Sequence, residues 1–201
     1  LTVAVMPFSD CSAQDCQEAQ QAGKEVIVHM PMESLTGAKE WVGEKGVFLS
    51  MTEEEIQATV EDALQIVQNA KGMNNHMGSA IMEDNRCLGA VMDVVAENDM
   101  FFIDSKTTAQ SIAEQVCQDR GVAFLTRDVF LDSTDDIHVV KQQLEQTEKI
   151  AKSKGYAVAI GHVGPEGGMV TVNALKEMLP QMKEKGIEFV TVSQLCQILE
   201  K

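Results

Sequence analysis

Short apolar runs and longer amphipathic stretches alternate along the whole chain. The apolar runs at residues 2–7, 26–29, 100–104, 123–127, 156–160 and 187–192, with one leading into residues 72–79, predict seven β-strands. Between them, apolar positions recur at helical spacing. These predict helices over residues 12–22 (closed by Gly23), from Thr52 to about residue 70, over 88–97, 112–118, 134–154 (closed by Gly155) and 172–185, and a last helix capped by Ser193. Thr52-Glu-Glu-Glu55 has the form of a capping box, in which the threonine hydroxyl and the glutamate carboxylate satisfy each other's backbone donors. Ile56, Val60, Leu64 and Val67 then share one face of the helix it opens. Residues 34–50 lack a sustained period and predict a loop. Strands alternating with helices imply right-handed crossovers and a mainly parallel sheet, so the expected fold is α/β, a single domain over residues 1–201, doubly wound or curled into a barrel.

Polar residues mark the C-terminal ends of the predicted strands, the rim where β/α folds carry their sites. Three of the four histidines fall there: His29, His76 and His162. In His29-Met-Pro-Met-Glu33 an imidazole and a carboxylate, both metal ligands by chemistry, follow one strand end; the alternative is a satisfied histidine and a solvated loop acid. Asn74-Asn75-His76-Met-Gly-Ser79 gathers two amides, an imidazole and a hydroxyl around a glycine, a set suited to hydroxyl-rich ligands or an oxyanion. Asp104-Ser105-Lys106-Thr107 ends an apolar strand, so Asp104 is either a helix cap or a site carboxylate. Arg127-Asp128 and Asp132 pose the same choice, with the arginine able to hold its neighbour ionised. Gly161-His162-Val-Gly-Pro165 predicts a sharp turn that exposes an imidazole as a general acid or base would need. His138 lies in a polar helical stretch and reads as surface.

Composition narrows the partners. With 16 basic and 31 acidic residues the formal charge is −15, which repels nucleic-acid backbones and anionic membranes. No apolar run is long enough to span a bilayer. The five cysteines form no CxxC pair, and Cys16, Cys117 and Cys196 read as small buried hydrophobes. The chain opens on a strand already under way and without methionine, so it reads as a piece of a longer product.

Taken in order, these residues resemble the polysaccharide deacetylase superfamily, and most closely its divergent branch, over essentially the whole chain. Gly23-Lys-Glu25-Val-Ile-Val-His29-Met-Pro-Met-Glu33 stands where the superfamily has a Gly-x-Glu-Ile-x-x-His-x-x-x-His metal motif, with Glu33 in place of the second histidine. Residues 72–79 stand in place of an Arg-Pro-Pro-Tyr segment, His162 matches the late Leu-x-His histidine, and residues 186–195 resemble the closing strand and helix. The strings HMPME, NNHMGS, DSKT, RDVFLD and IGH are together the divergent branch's own signature.

The resemblance implies a distorted seven-stranded (β/α) barrel whose first strand, bearing an Asp-Asp pair, would precede Leu1. It implies a divalent metal, most simply zinc, held by His29 with Glu33 or His76. The resemblance implies that His162 assists the leaving group; from the strand-end reading itself, Asp104 and Asp128 are further catalytic candidates, and Asn74, Asn75, Ser79, Ser105, Arg127 and Asp132 are candidates for contacting substrate. The implied activity is removal of N- or O-acetyl groups from a polysaccharide or peptidoglycan-like polymer, by a hydrolase acting on carbon–nitrogen bonds other than peptide bonds. The implied location is outside the cytoplasm of a bacterium. The alternative is a non-catalytic domain that binds saccharide or cell wall on the same fold.

Overall fold

The computed structural model describes residues 1–36, 42–43, 45–163 and 168–200. Its elements run β1 (Thr2–Val5), α1 (Ser12–Gln21), β2 (Glu25–Met32), α2 (Glu53–Ile66), β3 (Gly72–Met77), a 3₁₀ turn (Ile81–Glu83), α3 (Asn85–Glu97), β4 (Phe101–Asp104), α4 (Ala113–Asp119) and β5 (Phe124–Thr126). They continue through β6 (Val129–Phe130), α5 (Ile137–Lys154), β7 (Ala159–Ile160), α6 (Met169–Glu184) and α7 (Val192–Leu199). The chain divides into two compact units, one of Leu1–Leu125 with Val190–Lys201 and one of Thr126–Phe189.

The first unit is built on a five-stranded sheet in the order β1-β2-β3-β4-β5. The β1/β2, β2/β3 and β3/β4 pairs are parallel, as the strand–helix alternation predicts. Val28, Met30, Met32, Met73 and Phe102 are buried in the sheet, as are Ile56 and Val60 of α2 and Leu88, Val91, Met92 and Val95 of α3. Each such side chain stabilises the fold by roughly 1.5–3 kcal/mol through area removed from water. Helix α2 starts at the expected capping box, with Thr52 accepting from the Glu55 N–H. It ends at Ile66, several residues earlier than its apolar spacing suggests.

Helix α7 is tied down by one carboxylate. Glu25 Oε1 accepts from the backbone N–H groups of Val192 (3.0 Å) and Ser193 (3.2 Å) and from the Thr2 hydroxyl (2.8 Å). Burial works to raise the Glu25 pKa, but these donors, with Thr191, hold it below the usual glutamate value. The cap of α7 is Thr191, in a capping box with Gln194, and not Ser193.

In the second unit, β6 and β7 form a two-stranded parallel ladder. Its core is Val129, Leu131, Val140, Leu144, Ala174, Met178 and Met182. Helix α5 opens at Asp136, which accepts from the His138 N–H, and closes at Gly155 in the left-handed conformation (φ 92°) that glycine adopts without strain.

Two corrections to the predicted strands follow. Residues 187–192 form no ladder and instead lead into the cap of α7, while the two-residue β6 is too short to leave a period in the sequence. The ladders of the described residues therefore make sheets of five and two strands, not one sheet of seven. Among the described residues no helix is long and apolar enough to cross a membrane.

Candidate functional site

The register of the first sheet gathers the polar residues at its C-terminal edge. His29 lies opposite Asn74, Pro31 opposite His76, and Asn74 opposite Ile103 one residue before Asp104. β2 runs on past His29 to Met32, and the Pro31 carbonyl there accepts from the Val47 N–H (2.9 Å). At the end of β3 the chain turns through its last residue, Met77 (φ 54°), and Gly78 (φ 88°), and past β4 through Lys106 (φ 54°). For the non-glycine pair, left-handed backbone costs roughly 1–2 kcal/mol each, the kind of local strain found where side chains must be aimed.

Within this edge the side chains form one connected set. His29 Nδ1 lies 2.9 Å from Asn74 Oδ1, and His29 Nε2 lies 3.2 Å from His76 Nδ1. The two rings meet edge to face, with centroids 5.0 Å apart. Asn74 Nδ2 donates to Ser105 Oγ (3.2 Å), and Ser105 Oγ donates to the Asn75 carbonyl (2.8 Å). Asn75 Oδ1 accepts from the Ser105 N–H (2.9 Å), while its Nδ2 donates to the Met77 carbonyl (2.7 Å) and to Thr107 Oγ1 (3.2 Å). Asn74 and Asn75 are 2% and 1% exposed, so both amides are enclosed by this network.

The remaining candidates of this unit have structural partners. Glu33 Oε2 accepts from the Leu49 N–H (2.7 Å), and the Glu33 carbonyl accepts from Ala80 N–H. Among the described residues no third His, Cys, Asp or Glu joins His29 and His76 in a group that could hold a metal ion. Ser79 Oγ accepts from the Leu35 N–H (2.9 Å), which stitches two rim segments together. Asp104 is buried, and its Oδ1 accepts from the Lys106 N–H (2.6 Å). That bond fixes the left-handed turn at Lys106. Burial, with the Asp104 charge nearby, pushes the Cys117 thiol up to about 12, so that sulfur is protonated at neutral pH.

The second unit carries its own arrangement. The Asp132 side chain is fully buried. Its Oδ1 lies 2.8 Å from His162 Nδ1, and its Oδ2 accepts from the His162 N–H and from the Thr171 hydroxyl (2.8 Å). A carboxylate only accepts, so the imidazole proton sits on Nδ1 and Nε2 points away from Asp132. Gly161 makes room for this cluster: a Cβ there would lie 2.9 Å from Thr171 Cγ2 and 3.3 Å from Asp132 Oδ2. The Arg127 guanidinium lies 3.5 Å from the Phe130 ring centroid, and the His162 ring lies 5.5 Å from it, tilted by 40°.

Asp132 thus holds both the backbone N–H and the ring of His162. Asp128 is bound by Lys154 (3.0 Å) and the Val158 N–H (2.9 Å), and the Arg127 guanidinium lies over the Phe130 ring. Thr171 was not foreseen; a threonine on an otherwise apolar helix face gives no sequence signal. Gly164 and Pro165 of the predicted turn lie outside the described residues.

The first unit is thus an α/β fold with a mainly parallel sheet that carries histidines and amides at its strand ends, and the second unit carries a buried Asp–His pair. Residues 1–196 match the family described as divergent polysaccharide deacetylase, and the chain belongs to that family. It is 34% identical over 165 residues to an uncharacterized protein of Haemophilus influenzae, covering 82% of this chain and 58% of that protein. It is 30% identical over 179 residues to the uncharacterized protein YibQ of Escherichia coli, covering 89% of this chain and 54% of that protein. The chain therefore spans a little over half the length of these curated relatives.

Among solved structures, an uncharacterized protein from Agrobacterium tumefaciens superposes with a TM-score of 0.84 at 18% identity, over 96% of this chain and 87% of that one. A mutant of a CE4 family pseudoenzyme with restored enzymatic activity superposes with a TM-score of 0.50 at 12% identity, over 97% of this chain and 56% of that one. Both likenesses are of fold.

Proposed function

We propose that this protein is a metal-dependent hydrolase that removes acetyl groups from a polysaccharide or peptidoglycan-like polymer outside the cytoplasm. The observation that carries the reading is the approach of His29 Nε2 to His76 Nδ1 at 3.2 Å. Two nitrogens each about 2.05 Å from one tetrahedral zinc ion stand about 3.3 Å apart, so the pair fits two ligands of such an ion. In the protein alone that gap is closed by a proton on one nitrogen, which must leave when both act as ligands. No third ligand stands beside them among the described residues, and Glu33 would join them only by giving up the Leu49 N–H that it holds in the protein alone. When bound, such an ion polarises an acetyl carbonyl and lowers the pKa of a coordinated water.

The other tasks fall to the chain's own groups. His29 and His76 present ring nitrogens on a rigid sheet edge. Hydrolysis of an N-acetyl group breaks the C–N bond, and the departing nitrogen needs a proton. His162 Nε2 is the proposed donor, with Asp132 holding the ring by Nδ1. A neutral, hydroxyl-rich polymer places no demand on net positive charge, in keeping with the formal charge of −15.

The test is elemental analysis of the full-length protein and its His29→Ala, His76→Ala and Glu33→Ala variants. About one zinc per chain in the parent, lost in both histidine variants, is the expected result; Glu33→Ala decides the third ligand. Unchanged metal in both histidine variants overturns the reading. A metal-free protein that still binds the polymer makes it the non-catalytic saccharide-binding domain.

A further inference from the structure

Donor and acceptor bookkeeping at the sheet edge leads from a backbone carbonyl to the tautomer of His29. The Asn75 carbonyl can only accept, so the single hydroxyl proton of Ser105 is directed to it at 2.8 Å. Ser105 Oγ must then act as acceptor towards Asn74, so the Asn74 atom facing it at 3.2 Å is the amide nitrogen. The other end of that amide is therefore oxygen, and it faces His29 Nδ1 at 2.9 Å. An amide oxygen accepts only, so His29 carries its proton on Nδ1. The lone pair of neutral His29 then lies on Nε2, the atom that faces His76 Nδ1.

We infer that Asn74, held in one orientation by Ser105, is a positioning residue that locks His29 in the Nδ1–H tautomer and so aims its Nε2 lone pair at His76. The tautomer stands on the hydrogen bonds alone; its use in metal binding rests on the function proposed above. The burial of the amide supports the assignment. Asn74 is 2% exposed, and no water competes for a group so enclosed, so a reversed amide would set donor against donor at both of its ends. Neighbouring Asn75 reinforces the arrangement, because its side-chain oxygen takes the Ser105 N–H and fixes the serine backbone. Sequence alone shows Asn74, Asn75 and Ser105 as polar strand ends; it takes the β2/β3 register to put Asn74 beside His29.

The experiment is long-range ¹H–¹⁵N correlation on the 201-residue chain labelled at histidine, without metal, with the four histidines assigned by single His→Gln variants. In the parent, His29 should show a protonated Nδ1 and an unprotonated Nε2. Ser105→Ala and Asn74→Leu should move it to the Nε2–H form or to a mixture. Asn74→Asp keeps an acceptor and Ser105→Thr keeps the hydroxyl, so both should retain the parent pattern, a rescue that mere packing would not produce.

A parent spectrum with the proton on His29 Nε2 overturns the inference even if every variant fails to fold. So does an unchanged tautomer in folded Asn74→Leu. In full-length protein, Asn74→Leu should also weaken zinc binding about 10- to 100-fold, the usual effect of losing an outer partner of a ligating histidine. If the full-length protein binds no zinc while the His29 tautomer is as stated, the functional reading fails and the positioning role stands.

Discussion

Replacing Asp132 by alanine removes a carboxylate whose side chain has no exposure and which takes three hydrogen bonds, from His162 N–H, His162 Nδ1 and Thr171 Oγ1. Hydrogen bonds to a charged group contribute about 1.5–3 kcal/mol each, but they share one acceptor group and its burial already costs several kcal/mol. The net loss expected is therefore about 3–5 kcal/mol, in the range seen when one partner of a buried pair is deleted. Asp132→Asn keeps the volume and one oxygen for the His162 N–H and Thr171. It turns an amide nitrogen towards His162 Nδ1, which forces the ring into the Nε2–H tautomer at a cost of about 1–2 kcal/mol. Thr171→Val removes one donor and should cost about 1 kcal/mol.

Urea unfolding followed by far-ultraviolet circular dichroism gives the midpoint shifts at constant slope. Hydrogen exchange of α5, Ile137–Lys154, reports on the second unit by itself. Asp132 and Thr171 should also couple in a double-mutant cycle, by about 0.5 kcal/mol or more. If Asp132→Ala stays within about 0.5 kcal/mol of the parent and leaves α5 exchange unchanged, the carboxylate does not organise this unit and the reasoning is wrong.

Three further outcomes are expected. Glu25→Gln should cost about 1 kcal/mol at pH 7 by weakening the tie between Thr2 and α7; because the folded pKa of Glu25 is lowered, that contribution is complete above the unfolded value of about 4.3 and fades as pH falls through the folded one, so thermal melts of parent and variant should converge on acidification. Gly161→Ala should lower stability by about 1–3 kcal/mol and disturb the His162 resonances, since its Cβ would press within 2.9 Å of Thr171 and 3.3 Å of Asp132. With an aromatic disulfide reagent at pH 8, exposed Cys11 should react in the native protein while Cys87 and Cys117, raised to about 11 and about 12 by burial, react only on unfolding.

The elements that bury continuous apolar faces were legible in the chain. The runs that became β1 to β5, and the capping box that opens α2, carry their signals locally. β6 did not, because two residues hold no period, and residues 187–192 misled because an apolar run can serve a helix cap as well as a strand. At the site, the sequence marks which residues are polar at strand ends but not whom they face. His29 meets Asn74 through cross-strand register, and Asp132 meets His162 through the pairing of β6 with β7, contacts separated by 45 and 30 residues respectively. Asp104 shows the same limit: a carboxylate ending an apolar strand looks alike in sequence whether it faces solvent or, as here, fixes the turn at Lys106.

The central claim, a metal-dependent deacetylase, is tested most directly by acetate release from chitooligosaccharides and peptidoglycan fragments by the full-length protein. Release should stop when a chelator strips the metal, return on adding zinc, and be absent in His76→Ala. Absence of release from both substrates by zinc-loaded protein, or release that survives both the chelator and His76→Ala, would contradict the account.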